Sequence, residues 1–149
     1  MDTSIKLATI VKGMKWHTEK SLPFLNKNTG AVIYTQRPFL LDAKGEEFVG
    51  DLLDWQLREM ELAYDIVERP EKYAEIPALD WPELRSEFCK AQLEDIRPSL
   101  MAAADSQETF DIVLARQGLT DVWERYVDEK AEIAALVFCE EHGLNNKTS

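Results

Sequence analysis

The sequence predicts an α+β fold, mostly helical, of about five helices with a small antiparallel hairpin or three-stranded sheet. Three observations point there. Residues 120–142 carry apolar side chains at helical spacing between a recognisable start and stop. Residues 21–36 switch to a β-branched and aromatic pattern around a turn. Finally, 149 residues, 45% hydrophobic and 30% charged, suit one globular domain rather than a disordered chain.

Taken in order, residues 3–15 pattern as an amphipathic helix, with Ile5, Leu7, Ile10, Val11 and Met14 apolar and Lys6, Lys12 and Lys15 solvated. Gly13 is expected to weaken its end. In SLPFLNKNTGAVIYTQ, residues 21–36, two short β-rich runs flank a turn ending in Gly30, which predicts a hairpin. A lone hairpin is marginal in water, so it must gain a strand or pack on helices. A loop is expected through Pro38 and Gly45, then a helix from Glu46 to Glu68, stopped by Pro70. Its expected faces are Phe48, Leu52, Trp55, Leu62 and Ile66, flanked by Val49, Leu53, Met60, Ala63 and Val67. Tyr73–Pro77 alternates and reads as a third short strand. Asp80-x-x-Glu83 with Pro82 marks a helix start. That helix is read through Leu84, Phe88, Ala91, Leu93 and Ile96 to Pro98, with a restart at Ser99–Ala104. Phe110, Val113 and Leu114 define a short helix before Gly118.

The last helix is the best specified. Thr120 stands where an N-cap belongs, and Asp121 puts a negative charge in the first turn. Trp123, Tyr126, Val127, Ala131, Ala134, Val137 and Phe138 form the apolar stripe. Asp121, Glu124, Asp128 and Glu132 form a polar ridge opposite it. Gly143, followed by Leu144 folding back on Cys139, predicts a Schellman ending. Residues 145–149 read as an unstructured tail.

The net charge is −11, unevenly spread. Residues 1–37 hold six Lys/Arg against two Asp/Glu, a net +4, and the rest hold eleven against twenty-six, a net −15. The basic first helix is expected to lie on the acidic remainder, docked by its apolar face and oriented by charge. So acidic a chain argues against nonspecific binding to nucleic acid or an anionic membrane. No apolar run approaches the roughly 20 residues of a membrane span, and Lys6 and Lys12 interrupt any signal-peptide core. Two cysteines, Cys89 and Cys139, suit buried thiols in a reducing compartment. A cytoplasmic protein is expected.

Catalytic signatures are missing: there is no G-x-S-x-G, H-E-x-x-H, G-x-x-x-x-G-K-[ST] or G-x-G-x-x-G. The spacing Cys139-x-x-His142 looks metal-like, but zinc needs four converging donors and only one pair is present. Cys139 reads better as the contact under Leu144, and His142 as a cation at a helix C-terminus. No metal, cofactor or catalytic residue is assigned. Of the four tryptophans, Trp55 and Trp123 lie in helical stripes and read as core, while Trp16 and Trp81 stand at element boundaries, where an indole could serve a partner.

The chain also resembles a bacterial group known only as uncharacterised protein family 0158. The likeness runs nearly full length, through FLNKNTGAVI and through ELAYDIVERPEKYAEIP at residues 61–77, and is strongest from Phe110 to Leu144. There Gly118, Trp123, Tyr126, Ile133, Ala134, Glu140, Glu141 and Gly143 match the family pattern. Two positions depart from it: a Gly-x-Gly-Ala-Phe turn is replaced by Ala103-Ala-Asp-Ser-Gln107, and a late Trp-Leu pair by Phe138-Cys139. The resemblance implies a bacterial cytoplasmic α+β protein and brings no activity with it.

The leading expectation is a non-enzymatic protein-interaction or regulatory module. Glu124, Asp128 and Glu132 are its partner-binding candidates, and its partner is another protein with a basic surface. The alternatives are a small hydrolytic enzyme using carboxylates and an acidic DNA mimic.

Overall fold

A computed structural model describes residues 5–46 and 50–147. The chain divides into two compact units, residues 1–79 with 132–149 and residues 80–131.

The first unit opens with a two-residue strand, β1 (Ile5–Lys6), and helix α1 (Leu7–Trp16). Ile5 is therefore a strand residue, and residues 3 and 4 lie outside the described residues. Leu7, Ile10, Gly13 and Met14 form the buried face of α1, so its docking is apolar, as the pattern required. Helix α1 continues through Gly13 to Trp16. A Cβ there would stand 3.0 Å from Ile76 Cδ1, so the missing side chain allows a close approach.

The hairpin forms as read, from β2 (Ser21–Asn26) and β3 (Val32–Gln36), with Leu22 opposite Thr35 and Phe24 opposite Ile33. Asn26 holds the turn, its Oδ1 accepting the N–H groups of Asn28 and Thr29 at 2.9 and 3.3 Å. The alternating run after Pro70 supplies β4 (Tyr73–Glu75), antiparallel to the other edge of β2, giving the strand order β3-β2-β4. With three strands and packed helices the hairpin is no longer marginal.

Two helical readings need correction here. The expected loop at Pro38 is helix α2 (Arg37–Ala43), because proline in a first turn lacks only an N–H that would go unbonded anyway. Its Phe39 and Leu40 are buried. The helix read from Glu46 is α3 (Asp54–Glu68). Residues 50–53 are not helical, since Gly50 takes a φ of +80° and the Leu53 N–H is capped by Gln56 Oε1 at 2.8 Å. Met60, Ala63 and Ile66 are the buried residues of α3, whereas Leu53 and Trp55 are exposed. Trp55 is thus not core. Phe48 and Val49 fall outside the described residues.

The second unit starts with α4 (Trp81–Lys90), where Asp80 accepts the Glu83 N–H at 3.1 Å with Pro82 in the first turn, as expected. The helix does not run to Pro98. It ends at Lys90, where Gln92 Nε2 donates to the Phe88 carbonyl at 3.1 Å, and Leu93 is exposed. Pro98 instead lies in the first turn of α5 (Arg97–Ala103). Then comes α6 (Gln107–Arg116), capped by Ser106 accepting from Thr109 N–H. The core of this unit is aromatic: Phe88, Phe110 and Trp123 meet edge to face with centroids 5.0–6.3 Å apart.

The last helix, α7 (Thr120–Glu141), begins in the second unit and continues into the first. Its first turn is one residue earlier than expected, the Leu119 carbonyl accepting the Trp123 N–H at 2.9 Å. Buried residues are Trp123, Val127, Ala131, Ala135, Phe138 and Cys139, and Val137 is exposed. The end is a Schellman motif. Gly143 has a φ of +63°, Leu144 N–H donates to Cys139 O at 2.8 Å and Gly143 N–H to Glu140 O at 3.2 Å. Within residues 145–149, read as a tail, Asn146–Lys147 form β5, parallel to β1. Seven helices are present among the described residues. None of the described helices is long and apolar enough to cross a membrane.

Candidate functional site

The three sequence-chosen carboxylates all lie on α7 and are exposed. Glu124 and Asp128 belong to the second unit, and Glu132 is the first residue of the returning part of the first. Glu124 lines a cavity, an open one of about 800 Å³ in the second unit.

That cavity is built on α4, α6 and the start of α7. Trp81 comes from the first turn of α4 and Arg85 from the next, one helical turn along the same side. Gln107 and Asp111 are similarly one turn apart on α6, and Thr120, Trp123 and Glu124 come from α7. Trp123 is buried and Trp81 half-buried, so apolar walls carry a few polar groups, as ligand sites do.

Arg85 organises the polar part. It is 7% exposed, and its Nε donates to the Ala104 carbonyl at 2.7 Å and its Nη1 to Gln107 Oε1 at 2.9 Å. Gln107 then donates through Nε2 to Asp111 Oδ1 at 2.7 Å. The amide is oriented from both sides, which holds cation and carboxylate apart by one side chain. No carboxylate among the described residues forms an ion pair with Arg85. Arg85 also lines a second, smaller cavity of about 330 Å³ with Pro82, Ser86, Met101 and Asp105. Beside the rings of Phe88 and Trp123, burial and then the negative charges of Glu87 and Glu83 push the Tyr126 hydroxyl up.

Sequence reasoning missed Arg85, Gln107 and Asp111. The available signal was an arginine three residues before Phe88 on the apolar side of a short helix, where a charge needs partners.

The other candidates do not line this cavity. Cys89 and Cys139 are free, buried thiols, both pushed up by burial. Cys139 lies in the first unit's core with Leu144 packed against it, and the His142 ring stands 4.6 Å from that of Phe138. His17 Nδ1 bonds the Ile76 carbonyl at 2.8 Å. Among the described residues no three His, Cys, Asp or Glu are grouped to hold a metal ion. Trp16 is exposed, with Lys12 Nζ 4.3 Å above its ring. Asp65 accepts from the Tyr73 hydroxyl and from Lys72 Nζ at 3.1 Å, which joins α3 to β4. These two bonds, the Tyr73 one foremost, hold its carboxyl below the usual range.

No family model, curated protein or solved structure matches the chain.

Proposed function

We propose that the protein is a non-enzymatic interaction module that takes a basic protein partner along α7, with Glu124, Asp128 and Glu132 as its contact carboxylates. One observation carries this reading. The same helix that exposes these acids also exposes Ile133, Leu136 and Val137, and apolar side chains beside charge suit an interface better than a purely solvated face. The net charge of −11 favours association with a basic surface. A cytoplasmic setting belongs to the same proposal and is supported by the two free thiols. So does kinship with family 0158, supported by Gly118, Trp123, Tyr126 and Gly143.

The test compares wild type with Glu124, Asp128 and Glu132 all changed to Lys. Proteins retained by the wild-type chain should be lost from the variant, and retention by wild type should fall as salt rises. An unchanged thermal midpoint shows that the fold survives the change. Equal retention by both chains at low salt refutes the reading.

A second reading has one observation in its favour. Asp111 and Glu124 line one cavity with a cation between apolar walls, the setting that carboxylate-only hydrolysis would use. Hydrolysis of an ester or glycoside that disappears in Asp111→Asn and in Glu124→Gln would establish it.

A further inference from the structure

We infer that the cavity of the second unit binds the free C-terminus of a peptide that carries a basic residue close to its end. The inference rests on the proposed interaction function only in taking the partner to be a protein segment.

The carboxylate recognition comes from Arg85. A buried guanidinium is costly unless its charge is balanced and its donors are used. Arg85 is 7% exposed, yet its bonds go only to neutral oxygens, Ala104 O and Gln107 Oε1. No hydrogen bond from Nη2 to a protein group is seen among the described residues. The side chain lines the cavity, so a ligand there can reach the fork. A fork of parallel N–H groups matches a carboxylate in two-point geometry, which no single backbone carbonyl can.

The basic residue follows from the rest of the lining. Asp111 and Glu124 share the cavity with Arg85, and Asp105 lies in the adjoining one, so negative charge outnumbers positive. A phosphate dianion would bring two charges against those acids and is disfavoured. A single carboxylate coupled to a cation satisfies both signs. Gln107 separates Arg85 from Asp111, so a ligand must span the two with its carboxylate at one and its cation at the other. The indoles of Trp81 and Trp123 suit an apolar last side chain, and about 800 Å³ holds a short peptide end.

The probe is the tetrapeptide acetyl-Ala-Lys-Ala-Leu with a free C-terminus, titrated into the full-length protein and followed through the indole N–H signals of Trp81 and Trp123. Saturable shifts with a Kd on the order of 1 mM or tighter are expected. The C-terminal amide of the same peptide should bind at least about tenfold more weakly, as should acetyl-Ala-Glu-Ala-Leu. In the protein, Asp111→Asn with Glu124→Gln should abolish the preference for Lys over Glu and leave the preference for acid over amide. The acid–amide comparison requires no change to buried Arg85, so misfolding cannot imitate the result. Equal binding of acid and amide, or no saturable shift up to about 10 mM, overturns the inference. If the peptide fails while the triple Lys variant still loses its native partner, the interaction reading stands and only this site is wrong. If the peptide binds and the triple variant keeps its partner, the reverse holds.

Discussion

Thr35 is an unusual residue for its place. It is fully buried in β3, opposite Leu22, and its Oγ1 has no hydrogen-bond partner among the described residues. A buried hydroxyl without a partner keeps its desolvation cost and returns nothing for it. Thr35→Val, of nearly the same shape, is therefore expected to stabilise the protein by about 1–2 kcal/mol, seen as a higher urea midpoint with an unchanged slope. A lower midpoint would mean that the hydroxyl is satisfied after all. Trp123 is the opposite case, 5% exposed and 5.2 and 5.0 Å from the rings of Phe88 and Phe110. Trp123→Ala should cost about 3–5 kcal/mol, while Glu124→Gln beside it should barely move the midpoint. Trp123 could be read as core from its stripe alone. Trp55, in an equally good stripe, is 52% exposed, because an apolar helix position is buried only if another element arrives to cover it.

At the scale of elements, prolines were the hard letters. Pro70 follows the end of α3, as its missing N–H and ring clash suggest. Pro38 and Pro98 instead sit in the first turns of α2 and α5. The same fixed φ serves both purposes, so the residue does not say which one applies. Caps separated the cases better: Asp80 and Gly143 each did what their local chemistry required. The tie between α3 and β4 has a pH signature. Asp65 is 28% exposed in its side chain, and the Tyr73 and Lys72 bonds hold its carboxyl below the usual carboxylate range in the folded state. A depressed folded value means that the stabilisation is present above the unfolded value and is lost as pH falls through the folded one. Asp65→Asn should therefore destabilise most near neutral pH and progressively less below about pH 4, converging on wild type in strong acid. Urea midpoints measured across that range check the sign. A difference that grows on acidification would contradict it.

For the molecule as a whole, charge is the dominant feature. With a net charge of −11 and a pI near 4.6, the folded chain repels itself at neutral pH. Partly exposed ion pairs such as those of Asp65 with Arg69 and Lys72, and of Glu87 with Lys90, each offset little of this. Raising salt from about 0.01 to about 0.3 M should raise the thermal midpoint, each kcal/mol of relieved repulsion amounting to about 2–4 °C. A falling midpoint would mean that favourable pairs outweigh the repulsion.

What the sequence determined by itself was whatever depends on neighbours along the chain. The α+β class, the 21–36 hairpin and the third strand at Tyr73 all follow from local period and turn chemistry, as do the Asp80 start and the Schellman stop at Gly143–Leu144. The exposure of Glu124, Asp128 and Glu132 followed from helical spacing in the same way. Only the tertiary structure decided that Trp81, Arg85, Gln107, Asp111, Trp123 and Glu124 share a cavity. These residues come from three helices, and no periodicity links residue 85 to residue 107. Their meeting depends on how the apolar faces around Phe88, Phe110 and Trp123 pack, and packing is a property of volumes in contact rather than of order along the chain.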